Sequence, residues 1–196
     1  LAVDPEHVLV RVKKRIVEDA EIQTQIISKL AKSEILDELK LLHKTGIKKV
    51  NPQEFSGVFK GRKNVYNYIE RAIKSAKKQV IIQTTSSGLV REKDSFKSAL
   101  KKAKDNGVKI LVAAPMMQEN KQAAIELSKY AEIKDAQTDG RFYIIDGEEI
   151  IFMLMNDSDV HQTYDSAIWV KSPFFVASLK KMFLTSWKNM KKLQND

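Results

Sequence analysis

The stretch TDGRFYIIDGEEIIFMLMN, residues 138–156, decides the fold. Two runs rich in β-branched and aromatic residues, RFYII and EEIIFML, flank Asp146 and Gly147, a pair suited to the positive φ angles of a tight turn. The segment predicts a β-hairpin. Upstream, QVIIQTT at 79–85 and VKILVAA at 108–114 are continuous apolar runs, the signature of strands covered on both faces. Helical patterns separate them: one carrying Val65, Ile69, Ala72, Ile73 and Ala76, one running from Asp94 through Phe96, Ala99, Leu100 and Ala103 to a stop at Asn106 and Gly107, and one with Ala123, Ala124, Leu127 and Tyr130. Short strands are expected near 54–59, at 131–134 and at 166–170, and a closing helix from Pro173 to about Leu193. Alternation of this kind implies crossover units. The expected fold class is α/β, a mixed, mainly parallel sheet with helices on both faces, to which the hairpin adds antiparallel edges.

Residues 1–46 read differently, as one long helix. Asp4 is an N-cap candidate, Pro5 suits the first helical position and Gly46 suits the stop. Leu9, Val12, Ile16 and Leu30 lie on an interrupted apolar stripe that a small domain cannot cover along its whole length. Packing against the same helix of a second chain would bury it, so these four are the expected dimer contacts of a coiled-coil segment, with 51–196 as a separate domain.

Composition narrows the function. The chain has 196 residues, 43% of them hydrophobic and 30% charged, which suits a packed core. No apolar window reaches the roughly 18 residues of a membrane span, and the first residues carry Asp4, Glu6 and Arg11, so neither a membrane nor a secretory leader is expected. Without cysteine there is no disulfide, thiolate metal site or cysteine nucleophile, and a cytoplasmic setting is the default. No cofactor or metal is expected; Asp157, Asp159 and His161 read as a polar loop. The net charge of +9 is concentrated in residues 51–110, where 14 basic side chains face 5 acidic ones. That excess is either a solvated lysine surface or a face for a polyanion.

Two places could carry chemistry. Thr84, Thr85 and Ser86 follow a buried strand, where α/β sheets commonly hold ligands beyond the carboxyl ends of their strands. The hairpin itself resembles the phospholipase D superfamily motif HxKxxxxD. Aligning Asp146 with the motif aspartate puts Asp139 at the nucleophilic histidine and Arg141 at the lysine. A carboxylate cannot replace the attacking imidazole, so no catalytic residue is expected. Arg141 retains a planar fork for an anion, with Asp139 or Asp146 to orient it. In the last helix Phe175, Leu179, Met182, Phe183 and Trp187 form the expected core stripe.

The opening AVDPE, the segment EFSGVFKGRKNVYNYIERAIKSAKKQVIIQTT, the hairpin RFYIIDGEEIIF and the ending AIWVKSPFFVASLKKMFLTSW together resemble the TrmB family of archaeal transcription regulators. That resemblance implies a coiled-coil dimerisation helix followed by a phospholipase D-like effector domain without enzymatic activity. It further implies a homodimer that reaches DNA through an N-terminal winged helix-turn-helix not seen in these residues, and a small anionic or polyol ligand. Thr84, Thr85, Ser86, Asp139 and Arg141 are the ligand contacts expected on this reading. The alternatives are a diverged phosphodiesterase or nuclease, and direct nucleic-acid binding through 51–110.

Overall fold

The computed structural model describes residues 5–45, 54–138 and 140–193, and the chain divides into two compact units, Leu1–Val50 and Asn51–Asp196. In the first unit the single helix expected over 1–46 is two: α1, Pro5–Leu30, and α2, Glu34–Thr45. The break has a local cause. Ser33 Oγ donates to Leu30 O at 2.7 Å and Ser33 N to the same carbonyl at 3.1 Å, which closes α1, while Ser33 O accepts from Leu36 N and opens α2. A serine side chain competes in this way with the helical backbone ladder. The Asp4 cap and the Gly46 stop lie outside the described residues. α1 spans about 39 Å at 1.5 Å per residue, and none of its 26 residues is buried.

The second unit holds an eight-stranded sheet in the order β1-β7-β6-β5-β2-β3-β4-β8. Its strands are β1 Ser56–Lys60, β2 Gln79–Gln83, β3 Lys109–Ala114, β4 Glu132–Asp135, β5 Phe142–Ile145, β6 Glu149–Met153, β7 Ser166–Lys171 and β8 Lys191–Lys192. The expectation of a mainly parallel sheet is corrected here. Only β2–β3 and β3–β4 pair in parallel; β1–β7, β7–β6, β6–β5, β5–β2 and β4–β8 are antiparallel. Parallel pairing needs a crossover helix, and within the sheet α4 (Ser86–Asp105) and α5 (Lys121–Ser128) supply one each, whereas β5 returns on β6 by the expected turn at Asp146 (φ 55°) and Gly147 (φ 74°).

Side chains alternate across the sheet. Val80, Ile82, Ile110, Val112, Tyr143 and Ile145 pack with residues of α3 (Arg62–Ser75), α4 and α5 on one face; Ile81, Leu111, Ile144 and Ile150 pack with α6 (Pro173–Asn189) on the other. The stripe expected on α6 is shifted. Val176, Phe183 and Trp187 are buried, Leu179 is partly buried, and Phe175 and Met182 are 44% and 67% exposed. Ser172 caps the helix at Phe175 N, which fixes its phase and turns Phe175 outward. α4 begins eight residues before the expected start because Thr85 caps it, its Oγ1 accepting from Gly88 N at 2.9 Å. Capping decides where a helix starts even when Ser86, Ser87 and Gly88 are weak helix formers. β8, two exposed lysines, carries no strand signal and pairs with Lys134 and Asp135 through the backbone.

Candidate functional site

Beyond the carboxyl end of β2 and the start of β5, polar side chains converge inside the sheet face covered by α3 and α4. Period-two alternation puts Thr84, Arg141 and Tyr143 on that face. The α4 stripe Leu89, Glu92, Phe96, Ala99 adds a carboxylate to an otherwise apolar row. Glu92 is buried; its Oε1 accepts from Thr84 Oγ1 and from Tyr143 Oη, both at 2.6 Å. Burial pushes its carboxyl up to about 7, against the pull of those two hydrogen bonds and of the Arg141 and Arg91 charges.

Arg141 is buried with Asp165. Its Nη2 donates to Asp165 Oδ1 at 3.1 Å and to Met155 O at 2.8 Å, while Arg62 Nε reaches Asp165 Oδ2 at 2.8 Å. Burial acts against the Arg141 charge, but the Asp165 carboxylate outweighs it and holds the guanidinium above its ordinary value. Asp157 gathers a second set: Thr85 Oγ1 at 2.8 Å, Ser87 Oγ at 3.0 Å and Arg91 Nη2 all donate to its Oδ2. Desolvation would raise the Asp157 carboxyl; these donors and the Arg141 charge win and lower it. The Tyr66 hydroxyl, pushed up to about 12 by burial and the Glu92 charge, lies within electrostatic reach of Arg91 but makes no hydrogen bond of standard geometry. Arg62 Nη2, Tyr66 Oη, Arg91 Nε and Glu92 Oε2 are the buried side-chain polar atoms without a partner among the described residues, and all four belong to this cluster.

The expected ligand residues fall out unequally. Thr84, Thr85 and Arg141 are brought together, each already bonded within the protein. Ser86 turns away and donates to Glu119 at 3.0 Å. Asp139 lies outside the described residues. Asp146 does not orient Arg141: it sits at the far end of β5, where its carboxylate accepts from the backbone of Lys77, Lys78 and Gln79 at 2.7–3.2 Å and is lowered by those amides. The orienting group is Asp165, which nothing in its own neighbourhood of sequence marks. Glu92 lies two residues before the expected helix start at Asp94, and only the Thr85 cap brings it onto the apolar stripe of α4. Asp157 belongs to this cluster through Thr85, Ser87 and Arg91, and no group of three or more potential metal ligands occurs among the described residues. His161 is exposed with Nδ1 beside Thr163 Oγ1, and His7 and His43 belong to the first unit.

The family profile described as transcriptional regulator TrmB, EBD N-terminal subdomain, matches residues 57–194. The chain belongs to the TrmB family. Among solved structures it is similar to TrmBL2, an archaeal chromatin protein, at 22% identity and TM-score 0.55, over 97% of this chain and 71% of that one. It is also similar to Nuc, a phospholipase D family member from Salmonella typhimurium (14% identity, TM-score 0.58, 71% of this chain and 99% of that one), and to NucT from Helicobacter pylori (13% identity, TM-score 0.56, 70% and 98%). No curated protein sequence matches the chain. The likenesses establish a phospholipase D-like fold for a domain of a regulator family. No helix among the described residues is long and apolar enough to cross a membrane.

Proposed function

We propose that residues 51–196 form a non-catalytic, anion-sensing effector domain of a DNA-binding transcription regulator and that the N-terminal helices join two copies. One observation carries the first part. Arg141, at the motif position of the catalytic lysine, is locked to Asp165 in the interior, and His161, the histidine of this unit, is exposed beside Thr163. A phosphohistidine route needs an imidazole facing the substrate, and this arrangement offers guanidinium groups in its place. Three of the four unpartnered atoms, Arg62 Nη2, Arg91 Nε and Tyr66 Oη, are donors, which favours a small oxyanion as the ligand, held with help from the hydroxyls of Thr84 and Thr85.

The second part rests on α1. Leu9 is 70% and Ile16 63% exposed, with Val12 and Leu30 also bare, on a helix with no buried residue. A parallel partner helix would cover that row. A ligand that favours one arrangement of the pair would then shift the separation of attached DNA-reading domains, and half-sites demand a fixed spacing.

Two measurements test the reading. Incubation with bis(p-nitrophenyl) phosphate is expected to give no turnover, while orthophosphate raises the melting temperature; turnover that Arg141→Ala abolishes would replace it with the phosphodiesterase the fold neighbours favour. Sedimentation equilibrium is expected to find a dimer that Leu9→Ser with Ile16→Ser dissociates. A monomer at micromolar concentration sinks the dimer.

A further inference from the structure

The amino ends of β2, β3 and β4 make up one rim, because every crossover helix returns there. Register fixes the neighbours: Gln79 lies opposite Lys109, Lys109 N donates to Lys78 O at 3.1 Å, and the Lys104 ammonium reaches Lys129 O across from α4 to the end of α5. Lys77, Lys78 and Lys109 stand at the entries of β2 and β3, whose axes lie about 5 Å apart, and the last two turns of α4, carrying Lys101, Lys102 and Lys104, meet the same end of the sheet where Val108 N donates to Ala103 O.

Helix ends explain part of this. Lys74, Lys102 and Lys104 occupy the last turns of α3 and α4, where cations complement the helix dipole. Lys74 also pairs with Glu70 and Lys78 with Glu148. Lys77, Lys101 and Lys109 have neither role: they are exposed, lie outside the last helical turns and make no ion pair among the described residues. The acids that would balance them are few. Asp146 spends its carboxylate on three backbone amides and Glu148 on Lys78, which leaves Asp105 at the end of α4 and Glu132 at the start of β4 as the exposed acids beside these lysines.

We propose that this rim is a sequence-independent contact for the phosphate backbone of duplex nucleic acid. The neighbourhood selects the partner. No large hydrophobic side chain is exposed at residues 74–78, 101–109 or 129–132, so there is nothing to enter a lipid interface. The one aromatic ring in these stretches, Tyr130, is half-buried against the core, which disfavours stacking on unpaired bases and so single strands. What remains is a row of ammonium groups on flexible stems, which suits phosphates read as charge and not as sequence. The rim lies at the opposite end of the strands from the arginine cluster, so it stands whether or not that cluster binds an anion.

The test uses the 196-residue chain and a fluorescein-labelled 20-base-pair duplex of arbitrary sequence, followed by anisotropy from 50 to 200 mM KCl. With about four phosphates neutralised, affinity should fall about a hundredfold across that range. Replacing Lys77, Lys101 and Lys109 by alanine together should lower the salt slope by about one per lysine, with an unchanged melting temperature. Lys188→Ala with Lys191→Ala, at the other end of the sheet where β8 pairs with the carboxyl end of β4, should leave binding as it was. Three results would overturn the proposal: no binding at 50 mM KCl, a salt slope indifferent to the rim variants, or tighter binding to phosphatidylserine vesicles than to the duplex at equal salt.

Discussion

At the carboxyl end of β2 and the start of β5, Arg62, Arg91 and Arg141 are drawn inward onto Asp157 and Asp165; at the amino end of β2 and β3, Lys77, Lys101 and Lys109 stand in water without an acid to meet. Both ends are cationic, yet the residue type divides cleanly. A guanidinium is planar, weakly hydrated and able to grip a carboxylate with two nitrogens, so it survives burial; an ammonium is compact, strongly hydrated and best left outside. Apart from Lys134, whose buried ammonium donates to Trp187 O at 2.9 Å beneath α6, these two ends keep specific charge chemistry in the interior of one and diffuse charge on the rim of the other. Mutations at the two ends should differ in kind as well as in size.

The sharpest break comes from Asp165→Ala. It leaves the buried Arg141 and the half-buried Arg62 without their shared carboxylate, and removing one partner of a buried ion pair costs about 3–5 kcal/mol. Urea denaturation should show that loss, and a change below about 1 kcal/mol would mean that water reaches the cluster and that its burial has been overstated.

A second test concerns the proton on Glu92. Its carboxyl is raised to about 7 from an ordinary 4.5, so between those values the folded protein holds a proton that the unfolded chain has released. The stabilisation is complete below about pH 4.5 and is lost as the pH rises through about 7. A shift of that size corresponds to about 3 kcal/mol. Glu92→Gln keeps an oxygen for Thr84 and Tyr143 and cannot ionise. The variant should show a flat urea midpoint between pH 5 and 8 where the parent declines, and a matching decline in the variant would assign the effect to another group. The lowered carboxyls of Asp146 and Asp157 act in the reverse sense and at more acid pH, outside this window.

Asp146 gives a smaller, third effect. Its carboxylate accepts the backbone amides of Lys77, Lys78 and Gln79, which pins the entry of β2 to the hairpin turn. Asp146→Ala leaves those donors to water and puts alanine, which tolerates the left-handed region less well than aspartate, at a φ of 55°, for an expected loss of about 1–3 kcal/mol. Amide hydrogen exchange at 77–79 should rise more than in β3. If exchange rises equally across the sheet, the residue acts on global stability and not on this joint.

How much of this was legible in sequence follows from which forces are local. β2, β3 and the β5–β6 hairpin declared themselves through β-branched runs and the Asp-Gly turn, because those preferences are set within a few residues. The direction of pairing was not, since a crossover pattern between β2, β3 and β4 was extended to strands that return by other routes. Arg141 was found through its motif, but its partner Asp165 lies 24 residues on and Arg62 reaches the same carboxylate from 103 residues away. No periodicity records such a meeting. The start of α4 was missed for a different reason: Thr85, Ser86, Ser87 and Gly88 read as loop by composition, and a single capping hydroxyl overrides them. The arginine end depended on tertiary encounters, while the lysine end was visible as a bare charge count over 51–110.

The smallest effect should come from exchanging lysine for arginine on the rim. Lys77→Arg, Lys101→Arg and Lys109→Arg combined keep every charge and touch no buried partner, so stability should stay within about 0.5 kcal/mol of the parent. If the rim meets phosphates as point charges, the salt slope of duplex binding stays unchanged as well, because the number of released counterions depends on charge and not on fork geometry. A steeper slope, or affinity gained for one duplex sequence over another, would show that the rim had acquired bidentate reading of the kind Arg141 practises on Asp165. The division of labour between the two ends would then rest on residue choice alone, with the surrounding dielectric playing no part.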